Sequence, residues 1–237
     1  MGKPSPDAVI RRLQEGNERF ARGRATHPHT DVARLALAGT KDQEDYAFAT
    51  IIACSDSRVP VELIFDAGIM DLFVIRVVGN VCKKDAIGSI EYGLAHVQTP
   101  LLVVLGHTQC GAVKAVTRTI QGSVGQFERN IPPLMAPIIP AVKRAIGEHG
   151  ETHGEDILPI AIETNVWKGI EDLFMKSPAV RKLVQKGIAK VVGAVYDVKT
   201  GLVQWLPWEK SDSILQSVEA SPDKETQVYA SLPCKGG

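Results

Sequence analysis

The chain has 237 residues, 44% of them hydrophobic, enough for a sizeable core and suited to one domain of ordinary size with or without an appended arm. Its 27 Lys and Arg balance its 27 Asp and Glu, so no basic surplus points to nucleic acid or to anionic lipid. No apolar run approaches the roughly 20 residues that span a bilayer.

Met1–Asp7 is polar and reads as no export leader. The expectation is a cytoplasmic protein, or a periplasmic one if a leader has been removed. Ser5-Pro6-Asp7 supplies an N-cap, a proline at the first helical position and an acid in the first turn. Val9, Ile10, Leu13 and Phe20 follow at helical spacing, with Gly23 as the stop. A second short helix is predicted from near Thr30 to before Gly39. Both precede the first strand, so residues 1–45 read as an N-terminal helical arm.

From Ala47 the texture changes. Ala47–Ala53, Leu72–Val78 and Leu101–Leu105 are short apolar runs rich in β-branched residues, as in strands buried on both faces. Helical spacing follows near Asp85–Val97 and Gly111–Gln121. Such alternation predicts βαβ units and a mostly parallel central sheet flanked by helices, an α/β fold. Ile131–Gly147 carries many prolines at its start and then helical spacing, His149–Glu155 reads as a polar loop, and Ile157–Phe174 and Ser177–Gly187 read as helices. Lys190–Asp197 and Leu202–Leu206 form a C-terminal strand hairpin around Val198-Lys199-Thr200-Gly201. Residues 46–210 thus read as one α/β domain. Beyond Trp208 the pattern fades, leaving 211–237 as a tail that would pack on a neighbour.

Three residues stand out by type and placement. Cys54 directly follows the first apolar run, and His107 follows the third by one glycine. In an open parallel sheet, ligands bind beyond the carboxyl ends of strands. Cys110 falls at the start of the next helix, where the helix dipole and free N–H groups favour a thiolate. Two thiolates and an imidazole suit Zn²⁺, and three protein ligands leave a fourth position open, the count of a catalytic site. The alternative is two small buried hydrophobes and a hydrogen-bonded loop histidine. In Cys54-Ser55-Asp56-Ser57-Arg58, alternate residues past a strand end can face one cavity, so Arg58 can fix Asp56 and keep it ionised. Asp56 would then accept a proton near the metal, or swing in as a fourth ligand. The plainer alternative is a surface salt bridge of little energetic consequence.

Cys54-Ser-Asp-Ser-Arg58 followed by Gly106-His-Thr-Gln-Cys-Gly111 closely resembles the paired signature of the β-class carbonic anhydrases. The resemblance continues through Asp71-Leu-Phe-Val-Ile-Arg76, Gly79-Asn80 and Gly88-Ser-Ile-Glu-Tyr-Gly93, and covers roughly Ser5 to Trp205. It implies one Zn²⁺ per chain on Cys54, His107 and Cys110, with Asp56 and Arg58 as the catalytic pair. It implies zinc-dependent, reversible hydration of CO₂ to bicarbonate and a proton by metal-bound hydroxide. It also implies a homodimer or a dimer of dimers, in which the N-terminal helices embrace a partner subunit.

Two departures from the family pattern stand out. Arg76-Val77 replaces a common Arg-Asn, removing a polar contact. The glutamine that some members place before the first strand, as a donor to substrate, falls at Asp45 here. Gln43 lies two residues away and would need a small insertion to take that role. His96, His149 and His153 are candidate proton relays by residue type alone, the alternative being exposed loop histidines. Cys82 reads as a buried thiol and Cys234 as a tail thiol. Two rival functions are a hydrolase of carbonyl sulfide or carbon disulfide on the same scaffold, and a non-catalytic zinc-binding regulatory protein.

Overall fold

A computed structural model describes residues 2–123, 125–149 and 154–230. Five strands form one sheet: β1 (Ala49–Ala53), β2 (Leu72–Arg76), β3 (Leu101–His107), β4 (Lys190–Tyr196) and β5 (Val203–Trp205), in the order β2-β1-β3-β4-β5. The first four run parallel, and β5 returns antiparallel to β4 as the expected hairpin. The helices are α1 (Pro6–Ala21), α2 (Val32–Ala38), α3 (Val61–Ile64), α4 (Lys84–Ala95), α5 (Gly111–Ile120), α6 (Ile131–Met135), α7 (Ile138–Glu148), α8 (Leu158–Lys176), α9 (Pro178–Gln185) and α10 (Trp208–Ala220). No helix among the described residues is long and apolar enough to cross a membrane.

Side chains that alternate along the strands separate two cores. Ile52, Leu102, Val104 and Val191 face one, filled by Ile87 and Ile90 of α4 and by Val166, Ile170 and Phe174 of α8. Ile51, Val103, Leu105 and Val192 face the other, covered by Val9, Ile10 and Leu13 of α1 and by Ile64 of α3. A third cluster, built by α5, α7 and the start of α8, closes over the carboxyl ends of the strands and includes Cys54 and Cys110. The strand order explains the site's position. From β1 the chain passes to β2 on one side and then to β3 on the other, so the sheet switches direction between β1 and β3 and leaves a crevice at their carboxyl ends.

Several elements differ from the sequence reading. The arm is only partly free: α1 docks on its own sheet, while none of the residues of α2 is buried. The proline-bearing start of Ile131–Gly147 is itself a short helix, and Pro137 stands at the junction as the cap of the helix that follows. The tail reading at 211 is overturned as far as Ala220. Residues 208–220 form α10, which packs on α8 of the same chain, so the 210/211 boundary falls inside a helix. Its apolar stripe is narrow (Ile214, Leu215 and Val218 among polar neighbours), which is why its periodicity is faint. The four-residue α3 is too short to show a period at all.

Candidate metal centre

β1 and β3 pair in parallel with Ala53 opposite Leu105, so Cys54, one residue past β1, and His107, the last residue of β3, emerge side by side. Cys110 caps α5 after the turn Thr108-Gln109, in which Gln109 adopts a positive φ of 58°. The two sulfurs and an imidazole nitrogen lie within 4.8 Å of one another, and all three residues are buried.

The donor chemistry fits a cation. His107 is fully buried and its Nδ1 lies 3.0 Å from the carbonyl of Thr108, which fixes the proton there. Its Nε2 has no hydrogen-bond partner among the described residues. A buried orphan nitrogen is costly unless something fills it. Cys54 Sγ accepts from the Gly79 N–H at 3.3 Å. The hydrogen bond between the two sulfurs holds Cys54 far below the ordinary thiol range against the opposing effect of burial, and together with burial it pushes Cys110 up. A cation in place of the hydrogen-bonding proton leaves two thiolates and a neutral imidazole, the donor set of a three-ligand zinc site.

Asp56 and Arg58 are joined as the spacing suggested. Arg58 Nε donates to Asp56 Oδ1 at 2.9 Å and Nη2 to Oδ2 at 2.7 Å, a bidentate pair. The Arg58 N–H adds a third bond at 2.9 Å. The side-chain bonds from Arg58 outweigh burial and hold the Asp56 carboxyl well below the usual carboxylate range. Its Oδ2 lies 4.0 Å from the orphan His107 Nε2, and Arg58 Nη2 also reaches the Gln109 carbonyl at 3.2 Å, tying the two loops together.

Arg76, at the end of β2, has a role that spacing did not show. Its Nε donates to the Cys54 carbonyl at 3.1 Å and its Nη2 to the Asp56 carbonyl at 2.5 Å, so it fixes the backbone that carries both side chains. Its place as the one charge closing the apolar run of β2 was the available signal. Val77, where the family pattern often has Asn, is half-buried and packs against two of the apolar clusters. Gly79 must be glycine: its φ is +70°, and a Cβ would stand 2.7 Å from Ile138 Cδ1.

The remaining sequence candidates lie elsewhere. Gln43 and Asp45 are exposed in a 3₁₀ turn before β1, at the other end of that strand from Cys54. His96 caps α4 and stacks on Tyr92 at 5.2 Å, and precedes β3 rather than following it. His149 is exposed at the end of α7. His153 and Cys234 lie outside the described residues. Cys82 is buried in the core with Val104 and Ile170, and burial pushes its thiol up to about 12.

The carbonic anhydrase family model matches residues 49–203, from the first residue of β1 to the first of β5. Carbonic anhydrase 2 of Mycobacterium tuberculosis is 34% identical over 209 residues, covering 85% of this chain and 93% of that one. The carbonic anhydrase of Mycolicibacterium smegmatis is 33% identical over 207 residues, covering 86% and 95%. Among solved structures, a β-carbonic anhydrase of Aspergillus fumigatus superposes with a TM-score of 0.64 at 26% identity, over 90% of this chain and 97% of that one. A tetrameric β-carbonic anhydrase of Sordaria macrospora gives 0.63 at 24% identity, over 84% and 97%, and supports the fold. With a matching family model over most of the chain and relatives aligned nearly end to end, this protein belongs to the β-class carbonic anhydrases.

Proposed function

We propose that the chain hydrates CO₂ reversibly, giving bicarbonate and a proton, at a single zinc held by Cys54, His107 and Cys110. The observation that carries this reading is the orphan Nε2 of His107, buried against two sulfurs and beside a carboxylate locked by arginine. Bound there, zinc would supply Lewis acidity that makes water a nucleophile near neutral pH, an effect whose reference case is the three-histidine carbonic anhydrases.

The chain's own residues do the rest. His107 is held in one tautomer by the Thr108 carbonyl, so that Nε2 is the free donor. Asp56 stays ionised and accepts a hydrogen bond from the attacking O–H, which turns a lone pair toward the carbon of CO₂. Arg58 cannot release its proton at working pH, so its fork keeps Asp56 an acceptor and at its distance from the ligands. Arg76 holds the loop that presents Cys54 and Asp56. The proton then leaves to solvent on the side where Arg58 is about half exposed.

The assembly belongs to the same reading. On α2, Val32 is 80% and Leu35 56% exposed, and β2 is a half-buried sheet edge. Both surfaces suit a second copy of this chain, in a homodimer or a dimer of dimers.

Stopped-flow assays of the zinc-loaded protein with CO₂, and with carbonyl sulfide and carbon disulfide, test the activity. Rapid CO₂ hydration with slow or no turnover of the sulfur analogues is expected. The reverse preference, or no turnover of CO₂ at one zinc per chain, would overturn it.

A further inference from the structure

His107 receives its orientation from a single backbone carbonyl, that of Thr108, and the structure shows what holds that carbonyl in place. The Thr108 N–H donates to the Tyr196 carbonyl at 2.8 Å, one step beyond the last pair of the β3–β4 ladder. Its hydroxyl donates to Asp197 Oδ1 and accepts from the Val198 N–H, each at 3.0 Å. Asp197 also accepts from the Lys199 N–H at 3.0 Å and the Thr200 hydroxyl at 2.7 Å, so the carboxylate closes the hairpin turn on itself. The hairpin is anchored in turn by Asn17 of α1, whose amide donates to the Gly201 carbonyl and accepts from the Val203 N–H, both at 2.8 Å. A continuous run of hydrogen bonds therefore leads from α1, through the hairpin, to the imidazole.

We infer that Thr108 and Asp197 are positioning residues for the metal: they lock the carbonyl that takes the Nδ1 proton of His107, and so present Nε2 to the cation. The inference rests on the reading of Cys54, His107 and Cys110 as metal ligands. Neither residue touches the metal or the substrate. Their effect passes through one tautomer and one ring orientation, the way a partner of a ligating histidine acts. Sequence alone hid this, because Asp197 stands 89 residues from Thr108 and is reached only through the parallel pairing of β3 with β4.

The test is the zinc dissociation constant, measured by competition with a chelator, for the unmodified protein and for T108V, T108S and D197A. T108V and D197A should bind zinc about 10–100-fold more weakly. T108S, which keeps the hydroxyl, should bind as the unmodified protein does. Melting of the metal-free forms separates this from a purely structural role. If T108V lowers the melting temperature but leaves the zinc constant unchanged, the inference is wrong. Should T108V or D197A fail to fold, the ring ¹⁵N spectrum of His107 in the zinc-loaded, unmodified protein decides. A slowly exchanging proton on Nδ1 supports the inference, and a proton on Nε2 overturns it. An unmodified protein that holds no zinc would instead overturn the ligand assignment on which the inference rests.

Discussion

At the scale of single residues, the proposed mechanism depends on Arg58 keeping Asp56 where it is. The carboxylate sits 4.0 Å from the orphan nitrogen of His107, and its hold is the bidentate fork with one backbone N–H. Without Arg58 the nearest strong cation to Asp56 would be the proposed zinc. R58A should therefore retain zinc, lose CO₂ hydration by about a hundredfold or more, and bind azide poorly because Asp56 takes the open position. D56A should lose activity to a similar degree and still bind azide. Azide titration of the two loaded variants decides: equal affinities, with Asp56 still remote from zinc in a crystal structure of R58A, would reject this role of the pair. These residues were legible because their chemistry is local. A thiolate, a carboxylate and a guanidinium at alternate positions past a strand end need no knowledge of the rest of the fold. Arg76 and Thr108 were not legible in the same way, because their partners lie about 20 and 90 residues away, a separation that only the parallel pairing of β1 with β2 and of β3 with β4 closes.

At the scale of elements, the segment joining α1 to α2 is held by a buried carboxylate. Asp66 accepts from Arg19 Nε at 2.6 Å, from the N–H groups of Thr26 and His27 at 2.9 and 2.8 Å, and from the Thr26 hydroxyl at 3.0 Å. Burial by itself would raise its pKa, but these donors outweigh that and hold it at about 2, below the ordinary 3.8. A carboxylate whose folded pKa is depressed adds stability that is complete above its ordinary value and disappears as pH falls through the folded one. The difference in melting temperature between the metal-free protein and D66N should thus be full above pH about 4 and vanish near pH about 2. A difference that stays constant down to pH about 2 would contradict the assignment. The strands and longer helices announce themselves by apolar runs and by 3.6-residue spacing. The elements that do not, α3 and α10, are respectively too short and too thinly striped, and owe their form to tertiary packing.

At the scale of the whole molecule, α1 is committed to its own sheet, whereas α2 and the β2 edge remain uncovered by the described residues. An open edge with half-buried Leu72, Phe73, Val74 and Ile75 invites strand pairing unless something covers it. Light scattering should give a mass of at least twice the 25.6 kDa chain, and replacing Val32 and Leu35 with Glu should shift it toward the monomer. A fully active monomer of the unmodified protein would contradict this. The fold itself serves one arrangement: the sheet reverses its order between β1 and β3, and the crevice this opens receives Cys54 and His107 from two strands and Cys110 from the helix that follows. The claim that these three hold the metal is tested most directly by elemental analysis of the unmodified protein and of C110S, each checked for folding by circular dichroism. One zinc per chain in the former and little in a folded C110S is the predicted result. Full zinc occupancy in C110S, or none in the unmodified protein, would contradict it.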